Sequence, residues 1–244
     1  MTLQRSELQS NGNAPPVVLV VDDNASVREA ISELLNTVGI VVKRFPCGQE
    51  LLKELENVNC REIKDANCLI LDVRMPGMGG LELQHRLRTV RFNVPIIFIS
   101  AHGDVRMTVD AMKAGALDFL SKPFRSQDML DSVEAAIEYD RRRREIDRKQ
   151  KDLLARYSSL TPRERSILGL VARGLMNKQI ASELCLSEIT IKVNRSHLMQ
   201  KMKARSVAEL VRMEARLKDA TSNQGDYAAS REGHLIDNNS SLSS

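Results

Sequence analysis

From Val17 to about Phe124, short β-branched runs alternate with stretches whose apolar residues recur every three or four positions. The first run, VVLVV (Val17–Val21), is apolar at odd and even positions alike, which predicts a strand covered on both faces, as in a parallel sheet flanked by helices. Val27, Ala30, Ile31, Leu34, Leu35 and Val38 follow at helical spacing, and Gly39 supplies a stop. IVVKRF (40–45), CLILD (68–72), VPIIFIS (94–100) and DFL (118–120) predict four more strands. Helices are expected around 48–57, 79–90, 104–114 and from 126 onward. On the helix 104–114, Val105, Val109 and Met112 are expected to face inward and Met107 and Asp110 outward. Five βα units in about 120 residues define an α/β domain, a doubly wound five-stranded parallel sheet with right-handed crossovers, assigned to residues 15–137.

The pattern then changes. No Gly or Pro occurs from Ser126 to Ser159, and a charged stretch from Arg141 to Lys151 predicts a helical linker over 138–157. Residues 158–217 read as an all-α domain. Thr161, Pro162 and Glu164 form a capping box with proline at the first helical position. Ile167, Leu168, Val171 and Ala172 give one apolar face, ended by Gly174. A short helix starts at Asn177 with Ile180, Ala181 and Leu184 inward. Cys185-Leu186-Ser187 is a tight turn, and Ser187 caps a third helix reaching about Met202. Two helices joined by so short a turn are a helix-turn-helix unit. The polar ends, 1–14 and 218–244, are expected to be a flexible N-terminus and a disordered tail.

Charge sharpens this division. Residues 1–138 hold 15 Lys/Arg against 19 Asp/Glu, whereas 158–217 hold 11 against 5, so the second domain is the part suited to polyanions. Aromatic residues are 3 % and Trp is absent, which removes a stacking surface for single-stranded nucleic acid. No apolar run approaches a membrane span and no secretory leader pattern opens the chain, so no membrane partner and a cytoplasmic location are expected. The four cysteines form no CxxC pair and are expected to be isolated core thiols.

The candidate chemistry lies at the carboxyl ends of the strands, where doubly wound sheets bind ligands. Asp22, Asp23, Asp72, Ser100 and Lys122 converge there from four strand ends. Three crowded carboxylates repel one another unless a cation neutralises them, and Mg2+ with its oxygen ligands fits best. Lys122 adds a positive charge and Ser100 a hydroxyl, which together make a trap for a tetrahedral anion on one carboxylate. That arrangement suits phosphoryl transfer to an aspartate. A Mg2+-dependent phosphohydrolase with Asp72 as nucleophile is the rival reading. It wants a second Asp two residues on, where this chain has Arg74, and turnover of an external substrate is therefore not expected.

Through VVDDN, LDVRMPGMGGLELQ, IFISAHGDV and AMKAGALDFLSKPF the chain resembles the CheY-like receiver domain of two-component response regulators, especially the FixJ subfamily. The resemblance implies that a sensor histidine kinase phosphorylates Asp72, with Mg2+ held by Asp22, Asp23, Asp72 and the Arg74 carbonyl. It further implies that Ser100 and Lys122 contact the phosphoryl oxygens, that Phe119 is the aromatic switch, and that the Lys122–Pro123 bond is cis. Met107 and Asp110 then belong to a surface that pairs two receivers, forming a homodimer on phosphorylation. Residues 158–217 resemble the LuxR-type helix-turn-helix domain through LTPRERSILGLVARGLMNKQIASELCLSEITIKVNRSHLMQKMKARSVAELVRM, implying promoter double-stranded DNA and RNA polymerase as partners. On the third helix Ile191, Leu198 and Met202 face the core, while Lys192, Ser196, Gln200 and Lys203, with Val193 beside them, line the far side. Asn177, Lys178, Ser187, Thr190 and Arg195 complete the expected DNA-contacting set, and Lys201 and Lys203 are expected on phosphate. Asn194 stands where relatives commonly have His, and Ser196 where some have a base-contacting Lys, so no operator sequence carries over.

Overall fold

The computed structural model describes residues 15–57, 60–101 and 105–232, with the backbone alone at 105–107 and 220–232. The chain divides into two compact units, residues 1–145 and 146–244.

The first unit contains five parallel strands, β1 (Val17–Val21), β2 (Val41–Phe45), β3 (Cys68–Asp72), β4 (Ile96–Ser100) and β5 (Asp118–Ser121), in the order β2-β1-β3-β4-β5. Alternation along the strands sorts their side chains into two cores. Leu19, Val21, Leu69, Leu71 and Phe98 fill one side, and Val18, Val20, Ile70, Ile97 and Ile99 the other. Helices α1 (Ala25–Thr37), α2 (Gly48–Glu56), α3 (Arg61–Lys64), α4 (Gly80–Thr89) and α5 (Val105–Lys113) connect them. The doubly wound arrangement is the one expected. Asn24 caps α1 by accepting from the backbone of Ser26 and Val27, and Gly39, at φ 81°, turns the chain into β2.

Local packing departs from the apolar pattern in places. The single turn α3 has too few residues for a periodic signal. On α1, Ala30 and Val38 are exposed, and the buried face is carried by Ile31, Ser32 and Leu35. On α5, Val109 and Met112 are exposed and Ala111 is buried. The small Ala111 side chain lets the helix lie close to its neighbours, so the inward stripe is one position off the apolar pattern. The thiols also depart from a uniform core set. Cys68 is buried, Cys47 and Cys60 are half-buried, and Cys185 is exposed. Cys185 sits at φ 53° in the tight turn before Ser187, a backbone requirement rather than a packing one.

The second unit holds α7 (Pro162–Ala172), α8 (Asn177–Glu183), α9 (Glu188–Met202) and α10 (Val207–Glu232). Ile167, Leu168, Val171, Ile180, Ile191, Leu198, Met202 and Leu210 form its core. Both parts of the Thr161–Glu164 capping box are present. The last helix continues to Glu232, past Lys218, where the sequence reading ends ordered structure; no proline interrupts the segment. The expected flexible N-terminus and the remainder of the expected tail, 233–244, lie outside the described residues.

One helix, α6 (Ser126–Ser158), covers the predicted linker, but it is not a free spacer. Its early part is built into the first unit. Asp140 is fully buried, accepts from Asn67 Nδ2 at 3.1 Å and pairs with Arg143 and Arg144. Arg144 also donates to the carbonyls of Ala66 and Asp65, at 2.6 and 3.1 Å. Its late part belongs to the second unit, where Leu153 joins the core and Arg156 donates to the Met202 carbonyl. The expected 138–157 segment is helical throughout and packed near both ends. This stretch looks solvated in sequence because Asn67 and Ala66, the partners of Asp140 and Arg144, lie more than 70 residues away.

Candidate functional site

Parallel pairing of β1, β3, β4 and β5 brings the ends of four strands to one edge. Asp22 follows β1, Asp72 ends β3, Ser100 ends β4, and Lys122 follows β5. Carboxylate oxygens of Asp22, Asp23 and Asp72 lie within 4.8 Å of one another. Asp22 is fully buried, Asp72 is 6 % exposed and Asp23 is open to solvent. Lys122 Nζ bridges two of them, 2.6 Å from Asp22 Oδ2 and 3.0 Å from Asp72 Oδ2. One ammonium against three carboxylates leaves the edge negative. Oxygen donors this close, with net negative charge, fit a hard divalent cation.

The protonation equilibria record the same competition. Burial pushes the Asp72 carboxyl up, the Lys122 ammonium and the Arg74 backbone N–H pull it down, and Asp22 raises it again; the balance lies above the usual carboxylate range. For Lys122, burial lowers the ammonium pKa, but the two aspartates outweigh it and hold the group above its ordinary value. Arg74 N donates to Asp72 Oδ1 at 3.3 Å, and Asn24 N donates to Asp22 Oδ1 at 2.8 Å. Ser100 is 1 % exposed, and the Lys122 backbone N–H donates to its carbonyl at 2.8 Å. Phe119 is half-buried against the core on the α4 side of the sheet. The Lys122–Pro123 peptide is cis.

Two contributors escaped the sequence reading. Arg28, in the second turn of α1, donates to the Asp22 carbonyl at 2.6 Å. Gly80 opens α4 against β3, where a Cβ would stand 2.4 Å from the Asp72 carbonyl oxygen and 3.1 Å from the Phe98 ring. Only glycine lets that helix begin there, and the Gly79-Gly80 pair was the available signal. Of the two expected pairing residues, Asp110 is exposed, and the Met107 side chain lies outside the described residues.

In the second unit, α9 buries Ile191, Leu198 and Met202 completely. Lys192, Val193, Ser196, Gln200 and Lys203 are all exposed on its other side, as is Lys178 on α8. Ser187 caps the helix, accepting from Thr190 N at 3.1 Å, and the two hydroxyls are 2.8 Å apart. Arg195 and Asn177 are half-buried and hydrogen-bonded to each other. Lys203 terminates α9 in the left-handed region, φ 54°. Lys201 does not fit its expected phosphate role. Its Nζ lies 2.8 Å from Glu164 Oε2, and Glu164 is only 3 % exposed, so the lysine is engaged in joining α9 to α7.

A doubly wound domain with an acidic strand edge, followed by a basic helix-turn-helix unit, defines a signal-receiving DNA-binding regulator. Comparison with known proteins agrees. Residues 18–134 match the family "Response regulator receiver domain", and residues 158–214 match "Bacterial regulatory proteins, luxR family". Nodulation protein W of Bradyrhizobium diazoefficiens is 49 % identical over 198 residues, 81 % of this chain and 84 % of that one. Transcriptional regulatory protein FixJ of the same organism is 40 % identical over 200 residues, 82 % and 94 % of the two chains. Among solved structures, the response regulator StyR is 46 % identical, with a TM-score of 0.74 over 83 % of this chain and 100 % of that one. The chain belongs to the two-component response regulators, with a receiver domain and a LuxR-type DNA-binding domain. No helix among the described residues is long and apolar enough to cross a membrane.

Proposed function

We propose that a sensor histidine kinase donates a phosphoryl group to Asp72, and that this modification controls dimerisation and sequence-specific binding to promoter DNA. The observation that carries the reading is Lys122 Nζ, held 3.0 Å from Asp72 and 2.6 Å from the buried Asp22. A fixed ammonium beside an aspartate suits the charge that accumulates on a transferring phosphoryl group. Asp22, Asp23, Asp72 and the Arg74 carbonyl would hold Mg2+, which when bound supplies charge neutralisation. The Ser100 hydroxyl and the Lys122 ammonium would bind the phosphoryl oxygens, and Phe119 would turn inward as the edge reorganises.

The exposed Val109 and Met112 on α5 support an interface on that helix, together with Met107 and Asp110. Two such receivers would bring two LuxR-type domains to one promoter. There Lys192, Val193, Ser196 and Gln200 would meet base edges, and Lys178, Lys203, Arg195, Asn177, Ser187 and Thr190 would contact the backbone or order the helix. RNA polymerase is the further partner, and the cytoplasm the place of action. Incubation with Mg2+ and a small acyl phosphate should add one acid-labile phosphoryl group, read by intact-protein mass spectrometry. Removal of Mg2+ or Asp72→Asn should abolish it; undiminished labelling of Asp72→Asn would overturn the acceptor assignment.

A further inference from the structure

Among the described residues, the most exposed large apolar side chain is Ile189, at 77 %. It lies in the first turn of α9, one turn before Val193, which is 48 % exposed. At about 100° per residue, Ile189, Val193 and Gln200 fall within about 20° of the direction opposite Ile191, Leu198 and Met202. The two apolar groups therefore crown the face furthest from the core. An isolated exposed isoleucine needs no explanation. Two branched side chains on successive turns of one outward line, beside the exposed Lys192, Ser196 and Lys203, form a ridge with a defined chemical setting.

That setting selects the occupant. The domain carries 11 Lys/Arg against 5 Asp/Glu, so its complement is a polyanion. The apolar feature a DNA major groove offers is the thymine 5-methyl group, and aliphatic side chains recognise it by contact. Both residues are β-branched and hold few rotamers in a helix, so little freedom is lost when they are covered. The Ser187 cap fixes the first turn, with Thr190 N bonded to Ser187 Oγ at 3.1 Å. We infer that Ile189 is a specificity-determining residue, forming with Val193 an apolar ridge that reads neighbouring thymine methyl groups. The inference rests on α9 being the recognition helix.

The test uses the full chain, treated with acyl phosphate and Mg2+, and a site obtained by selection from random DNA. Each thymine of that site is replaced singly by uracil, which removes only the methyl group. Affinities are then measured for the wild type, Ile189→Ala and Lys192→Ala. Burial of one methyl group predicts that uracil at one or two positions weakens the wild type about fourfold. At the position that Ile189 reads, the same replacement should leave Ile189→Ala unaffected, with its thermal midpoint unchanged. Additive effects of methyl loss and Ile189→Ala at every position would overturn the inference. Normal binding with loss of transcription in Ile189→Ala would overturn it too, and would assign the ridge to a protein partner. The Lys192→Ala arm separates the two readings. If it also binds the site unchanged, α9 is not the recognition helix; if it weakens binding while Ile189→Ala does not, only the ridge is wrong.

Discussion

Glu164 shows how one side chain can serve a helix start, a core and a neighbouring helix together. It accepts from the Thr161 backbone N–H at 2.8 Å and from Lys201 Nζ at 2.8 Å while largely shielded from water. Burial pushes its carboxyl up, but Lys201 and Thr161 more than reverse this and hold it below the usual range. A lowered folded-state pKa stabilises the fold above the unfolded value of about 4.5, and that contribution is lost as pH falls through the folded value. The unfolding midpoint of the DNA-binding unit should therefore drop below about pH 4.5, and Glu164→Gln should flatten that drop while lowering stability at neutral pH. Denaturant titrations from pH 3 to 7 check this; identical pH profiles would contradict it. Residues at this scale were legible in sequence where strand ends or caps fix them, as for Asp22, Asp72, Lys122 and Thr161. Lys201 was not, because its partner sits on another helix, and neither was Gly80, whose need is set by the backbone of Asp72.

The elements were legible in kind because short, continuous β-branched runs mark strands covered on both faces, whereas the helices repeat near 3.6. Their partners were not. The α5 pattern puts Val109 and Met112 inward, yet a small Ala111 takes the buried position and leaves both exposed. In α6, the stretch from Arg141 to Arg144 has the composition of a solvated helix, but Asp140 beneath it is fully buried and ties it to Asn67 and the end of α3. Removing one partner of a buried ionic network leaves uncompensated charge, at a cost of about 3–5 kcal/mol. Asp140→Ala should destabilise the receiver unit by that order and speed amide exchange over 138–145. Arg142→Ala, which breaks only an exposed pair with Glu138, should change stability by less than about 1 kcal/mol. Equal effects of the two substitutions would return this segment to a free linker.

At the scale of the molecule, an acidic receiver and a basic DNA-binding domain divide the work along one chain. The receiver holds an acidic edge whose oxygens fit a divalent cation, and the second unit presents α9 on a packed helical frame. Neither unit has a reason to communicate unless modification of Asp72 shifts an equilibrium that the DNA also senses. Separate function of the two halves is the alternative, and one measurement decides between them. Fluorescence anisotropy of a selected DNA site is titrated with wild type and Asp72→Asn, each with and without acyl phosphate, in Mg2+. Coupling through Asp72 predicts at least a fivefold gain in wild-type affinity on phosphorylation, the lower end of the ordinary range, and no gain for Asp72→Asn. Equal affinity of the phosphorylated and unphosphorylated wild type, with labelling of Asp72 confirmed on the same samples, would contradict it.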